Sequence, residues 1–269
     1  MSTPRRTLAS TFHALRAANR IGLLPFVPGG YPNLQTTAAT IIELERAGAS
    51  AIEVGFPFSD PIADGPVIQE AFKEAMARGV RVSDIFRAVR DVRAHVALPL
   101  IAMVSFSIVF RYETGRFLSD ARDVGFDGLI IPDLPPPEAG PVCDATRAVG
   151  LDTVMLVAPT TTPARRATIV KLCSGFVYYL SISGTTGERN DLPPDLIENV
   201  NQIRAFGTCP VCVGFGISRP EHVRMLKGVA DGAIVGSAVV RRMMQHQSEP
   251  ADSVARDAGE LCRELLAQV

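Results

Sequence analysis

Two carboxylates stand where their surroundings argue against them. Glu53 interrupts the apolar run Ala51-Ile52-Glu53-Val54-Gly55, and Asp64 follows across a loop that carries Pro57 and Pro61 and closes at Gly65-Pro66. An acid inside a strand of a protein core is costly unless it is paired or has chemical work to do. Proton transfer is the work a pair of such acids performs best. Glu53 is read as the principal acid/base, and Asp64 as a second carboxylate that the loop brings to it. A buried salt bridge is the alternative for Glu53, but no strand interior in this sequence offers the cation. Asp60, directly before Pro61, suits a turn in which its side chain holds the loop backbone.

The elements that must place these acids follow from periodicity. Apolar strand-like runs occur at 21–27, 51–55, 99–104, 128–133, 151–157, 176–180, 211–216 and 232–237, each followed by a helical segment. Residues 7–19 form an amphipathic helix ahead of them, with Leu8, Phe12 and Leu15 on one face, suited to plugging one end. Helices are expected at 34–47, closed by Gly48, at 67–78, stopped by Gly79, and at 84–95, with Ser83 as its cap. A helical stretch is expected over 105–124, a helix opened by Thr162 and Pro163 after the fifth strand, and a closing helix at 253–267. The segment 181–194 has no apolar period and is long for a βα loop, as lids are. Eight strands, each with a helix, within 269 residues point to α/β architecture as one (β/α)8 TIM barrel domain over 1–269, with an extra N-terminal helix. No G-x-G-x-x-G follows the first strand, which argues against a dinucleotide fold.

In such a barrel the functional groups lie at the C-terminal strand ends, and the last two βα loops commonly hold a phosphate. Both loops are glycine-rich here: Gly214-Phe215-Gly216-Ile217-Ser218 and Val235-Gly236-Ser237-Ala238. Backbone N–H groups at Gly216 and Gly236, with a helix starting at Ser237, would bind a phosphate, and Gly187 in the lid could add a third amide. Tight turns alone would also explain one such loop; two at these strands favour the phosphate. Amide-held phosphate supplies no catalysis, so the reacting end must face Glu53 and Asp64. Phe26 and Phe215 could sandwich a flat apolar substrate, with Tyr178 in the same mouth, or they could simply pack the core.

The totals exclude several classes. Net charge is −1 and the isoelectric point near 6.4, so no field would hold a polyanion, and nucleic acid is not an expected partner. A hydrophobic content of 47 % indicates a large core, and 20 % charged residues argue against disorder. No sustained apolar stretch follows the basic start, so neither export nor a membrane is indicated. Five dispersed cysteines do not form a disulfide framework, and a reducing cytoplasm fits them. Cys209-Pro210-Val211-Cys212 has redox-motif spacing but runs into a strand rather than a helix, and four scattered histidines offer no metal site.

The motif from Glu53 to Gln69, together with Pro132-Asp133-Leu134-Pro135, Ser183-Gly184-Thr185-Thr186-Gly187 and Gly214-Phe215-Gly216-Ile217-Ser218, resembles the tryptophan synthase alpha chain family over nearly the whole chain and in family order. The resemblance implies a retro-aldol lyase that cleaves indole-3-glycerol phosphate to indole and glyceraldehyde 3-phosphate with no metal or organic cofactor. It further implies that indole passes to a PLP-bearing beta chain in an alpha2-beta2 tetramer. By the same resemblance Glu53 carries the proton transfers, Asp64 holds the indole N–H, Thr186 bonds Asp64 when the lid closes, and Tyr178 lies beside Glu53. Phe26 and Phe215 match the residues that pack on indole, and Gly187, Gly216, Gly236 and Ser237 the phosphate contacts. Pro28, Tyr31, Ser105 and Ser107 depart from the family pattern around the Asp64 loop and the beta-chain contact. They leave open a free-standing indole-releasing lyase, or a weakly catalytic paralogue that binds and activates a beta chain.

Overall fold

Residues 5–60, 64–180 and 195–267 are described by a computed structural model. Strands β1 (Gly22–Pro28), β2 (Ile52–Gly55), β3 (Leu100–Met103), β4 (Gly128–Ile130), β5 (Asp152–Val157), β6 (Val177–Leu180), β7 (Val211–Gly214) and β8 (Gly232–Val235) close in sequence order into one barrel. Every pairing is parallel, with Phe26 opposite Glu53 and Glu53 opposite Ile101. The expected (β/α)8 architecture is what forms.

Among the described residues twelve helices surround or cap the strands. They are α1 (Leu8–Ala17), α2 (Leu34–Arg46), α3 (Pro66–Ala77), α4 (Val82–Val92), α5 (Phe106–Tyr112), α6 (Thr114–Val124), α7 (Pro136–Ala148), α8 (Pro163–Leu172), α9 (Leu196–Arg204), α10 (Pro220–Leu226), α11 (Ser237–Gln245) and α12 (Ala251–Leu266). Their boundaries obey local chemistry. Thr162 opens α8 through its side chain, and Gly48 and Gly79 leave helices with φ of +98° and +77°, as anticipated; Asn33 also caps α2 through its side chain.

Several boundaries differ from the sequence reading. Ser83 lies inside the first turn of α4 rather than at its cap, because Asp84 reaches back to accept the Arg81 N–H at 3.0 Å and starts the helix earlier. The stretch 105–124 is two helices: Glu113 adopts φ +80°, and its carboxylate takes the Gly115 and Arg116 amides at the start of α6. Strands β4, β7 and β8 stop before Pro132, Phe215 and Gly236, since proline and the glycine turns leave the ladder there.

The core has two layers. Alternate strand residues such as Ile52 and Val54 face the helices, and the others fill the barrel, where Leu24, Ala51, Ile101, Ile130 and Val154 meet Leu8 and Phe12 of α1. Helix α1 is thus the bottom plug, as its apolar face indicated. Two aspartates fasten it from opposite sides. Asp127, before β4, takes Arg5, Arg93 and the Leu100 N–H; Asp231, before β8, takes Arg16, Arg204 and the Val211 N–H. With the bottom closed, the mouth is the end left for chemistry.

Candidate active site

Strand alternation turns Glu53 into the barrel. Its neighbours Ile52 and Val54 face outward to the helices, so Glu53 shares the interior face with Ala51. It is 1 % exposed, and its Oε1 has no hydrogen-bond partner. Among the described residues no Arg, Lys or His pairs with it, which removes the salt-bridge alternative there. Burial first, and then the charge of Asp64, push its carboxyl well above the ordinary range.

Asp64 arrives on the loop that enters α3. Gly65 caps that helix with Pro66 in its first turn, and the Gln69 side chain donates to the Asp64 carbonyl at 2.8 Å, which fixes the end of the loop. Burial raises the Asp64 carboxyl to about 6. Tyr178, the second residue of β6, is pushed up by burial and then by the charges of Glu53 and Asp64, so its hydroxyl stays a donor.

Phe26, Glu53, Asp64, Tyr178, Phe215, Gly216, Gly236 and Ser237 line one cavity. Eight of the ten expected site residues therefore meet; Thr186 and Gly187 lie outside the described residues. Two glycines keep the slot open. A Cβ at Gly55 would lie 2.3 Å from the Phe26 ring, and one at Gly214 would lie 3.1 Å from the Tyr178 hydroxyl. At the far end Gly216 has φ +87°, and α11 begins at Ser237 with no side-chain cap on its free amides. An anionic group at those amides would place the rest of an extended ligand along Phe26 and Phe215 toward Glu53.

The walls include residues that sequence reasoning passed over. Met103, Leu156 and Ile234 line the same cavity, and the strand alternation that points Glu53 inward would have found them. Next to it lies a cavity of about 440 Å³, bounded by Phe58, Asp64, Phe72, Ser105, Ser107 and Asp133. Asp64 and Met103 line both. Ser105 donates to Asp133 at 2.6 Å, shares a 2.8 Å hydrogen bond with Ser107, and Asp133 also takes the Phe106 N–H. Ser105 is thus tied to Asp133 and Ser107 to Ser105, and neither is hydrogen-bonded to Asp64. Pro28 ends β1, and Tyr31 is buried and donates to Gln247 at 2.8 Å, so both departures are absorbed by the fold.

Elsewhere, His246 stands between Glu249 at 2.8 Å and Asp257 at 3.4 Å where α11 leads into α12. This is a grouping of ligand-type side chains that the dispersed histidines did not announce. Each ring nitrogen faces a carboxylate, and the contact with Glu249 raises the His246 pKa, as an ion pair requires.

A closed barrel with a cavity at its mouth, lined by a buried acid without a partner, defines a class: a (β/α)8 barrel with its candidate site at the C-terminal strand ends. Residues 12–269 match the family model described as tryptophan synthase alpha chain. A tryptophan synthase alpha chain of Rhodopirellula baltica is 41 % identical over 268 residues, covering 96 % of each chain. A solved tryptophan synthase chain of Mycobacterium tuberculosis superimposes with a TM-score of 0.89 at 36 % identity, covering 99 % of each chain. A chain from a structure of the tryptophan synthase a2b2 complex of Pyrococcus furiosus gives 0.85 at 34 % identity, over 91 % of this chain and 98 % of that one. The chain belongs to the tryptophan synthase alpha chain family, and is a lyase of tryptophan biosynthesis.

Proposed function

We propose that the chain, acting as a single barrel domain, cleaves indole-3-glycerol phosphate to indole and glyceraldehyde 3-phosphate. The observation that carries this reading is the unpartnered Glu53 Oε1, buried in a cavity whose far end is formed by Gly216, Gly236 and Ser237. The phosphate binds those amides, with Gly187 adding one more, and the indole ring lies against Phe26 and Phe215. Glu53, kept protonated by its burial, gives its proton to the ring carbon that bears the glycerol chain. Asp64, the more readily ionised acid, accepts the indole N–H and balances the cationic ring, and Thr186 holds Asp64. Glu53, now a carboxylate beside the Tyr178 hydroxyl, takes the proton of the neighbouring glycerol hydroxyl as the carbon–carbon bond breaks. One proton enters at carbon and one leaves oxygen, so no electron acceptor is required.

The partner in this reading is a PLP-bearing beta chain in an alpha2-beta2 tetramer. Phe110 on α5, 70 % exposed, stands on the rim formed by the β3 loop next to the Ser105–Asp133 cluster, where a large apolar side chain suits a protein contact. Among the described residues no helix is long and apolar enough to cross a membrane, and a cytoplasmic site accords with five free thiols. The test is indole release from indole-3-glycerol phosphate by the purified chain, alone and mixed with a beta chain, together with sizing of the mixture. Indole formation that rises in a co-eluting complex supports the reading; no indole under either condition contradicts it.

A further inference from the structure

At the barrel's closed end a cavity of about 480 Å³ opens between three segments. Ala9, Phe12, His13 and Arg16 come from one face of α1, at helical spacing; Val170 and Lys171 belong to the last turn of α8; and residues 206–210 carry the chain from α9 to β7. This last stretch comes close to α8 at Gly207, where a Cβ would stand 2.9 Å from the Val170 Cγ1. The cavity shares no residue with the one that holds Glu53.

Its lining combines apolar and cationic groups. Phe12 and Val170 are buried, whereas Phe206 is 38 % exposed, a large apolar side chain that the fold leaves uncovered. Arg16 and Lys171 bring two positive charges, and among the described residues no Asp or Glu lines the cavity, although the whole chain carries a net charge of −1. Arg16 is held in place: its Nε donates to Asp231 at 2.7 Å and its Nη1 to the Thr208 carbonyl at 3.4 Å, which leaves Nη2 without a partner among the described residues. Asp231 stands outside the lining and is shared with Arg204 and the Val211 N–H. Lys171 and His13 have no side-chain hydrogen bond or ion pair among the described residues. An inorganic anion would leave Phe206 wet, and a neutral aromatic would leave the two cations unanswered. A ligand with a flat apolar body and one anionic end satisfies both, and the cavity has the size of a small-molecule site.

We propose that this barrel-floor cavity is a binding site for a small aromatic carboxylate of one or two rings. The carboxylate takes the charges of Arg16 and Lys171, and the ring covers Phe206 and Val170. Such a ligand bridges α1, α8 and the start of β7, and it sits against the plug residue Phe12, whose ring packs edge-on to Phe176 inside the barrel at 5.9 Å between centres.

The experiment titrates the full-length protein with 2-naphthoate by calorimetry, with 2-naphthamide as the uncharged control, and follows iodoacetamide labelling of Cys209, a partly exposed residue of the lining. The carboxylate should bind a single site with Kd below about 1 mM and the amide at least about fivefold more weakly, and saturation should slow Cys209 labelling at least about threefold. Lys171→Glu should weaken the carboxylate at least about tenfold, whereas Lys171→Arg should keep it within about twofold, which separates a lost charge from a disturbed fold. Added salt should weaken binding to the parent protein. No heat and no protection of Cys209 up to about 10 mM probe would overturn the proposal. So would an amide that binds as well as the acid, a Lys171→Glu protein that binds as the parent does, or binding that leaves Cys209 labelling unchanged.

Discussion

Glu53 and Asp64 line one cavity, and burial first and then the charge of Asp64 push the Glu53 carboxyl well above its ordinary range. Asp64 is itself raised by burial, to about 6. The two acids therefore ionise in order. Asp64 goes first, and its charge makes Glu53 harder to ionise, which is how neighbouring carboxylates acquire separate acid and base duties.

That relationship fixes a stability profile. Both folded pKa values lie above the unfolded ones, so the folded protein holds protons that the unfolded chain has released. The favourable contribution is complete below about 4 and is lost as pH rises, through about 6 for Asp64 and higher for Glu53. Glu53→Gln should remove the Glu53 share of this loss. Thermal melts at pH 8 should show it more stable than the parent by roughly 2–4 °C for each kcal/mol recovered, with a smaller gain at pH 5. A variant that melts lower at pH 8 would mean that Glu53 has a stabilising partner.

Activity should have an acid limb set by Asp64. If its carboxylate takes the indole N–H, kcat/KM rises with pH through about 6. Asp64→Asn should lose that limb, reduce kcat/KM by about 10²-fold, and lower the Glu53 pKa by removing the neighbouring charge. A pH–rate profile of the two proteins checks it, and an unchanged limb in the variant would assign the ionisation elsewhere.

Gly55 holds the slot open for Phe26. An added Cβ would meet the ring at 2.3 Å and Phe72 at 2.9 Å, so Gly55→Ala must move an aromatic that packs edge-on at 6.1 Å between ring centres. The expected cost is about 1–3 kcal/mol in denaturant unfolding, with KM raised more than kcat is lowered. Equal stability and equal KM would show that the Phe26 wall is not part of the binding slot.

The bottom clamp should be unequal. Asp127 pairs with Arg93, which is nearly buried and whose pKa burial lowers to about 10, whereas Asp231 pairs with the more exposed Arg16 and Arg204. Asp127→Ala leaves a buried guanidinium without its carboxylate and should cost about 3–5 kcal/mol, and Asp231→Ala less, since its arginines can turn to water. Urea melts of the two variants decide the order. A larger loss for Asp231→Ala would place the principal tie on the other side of α1.

Much of this was legible in the residues. Apolar runs of strand length, each followed by a helical period, gave the barrel, because burial on both faces makes parallel strands continuous in hydropathy. Glu53 was legible as the acid that breaks such a run, and Gly216, Gly236 and Ser237 by their position after the last two strands. What remained hidden depended on contacts between distant segments. Asp84 starting α4 ahead of Ser83, Glu113 dividing a helix and Asp133 taking Ser105 all involve side chains choosing among partners that local sequence does not rank.

The most direct test of the whole account is indole formation from indole-3-glycerol phosphate by Glu53→Gln, whose amide keeps the shape and loses the proton transfer. With the fold verified by circular dichroism and phosphate-ligand binding retained, turnover should fall by at least about 10²-fold at every pH. Turnover within about threefold of the parent protein would contradict the assignment of Glu53 as the acid–base centre.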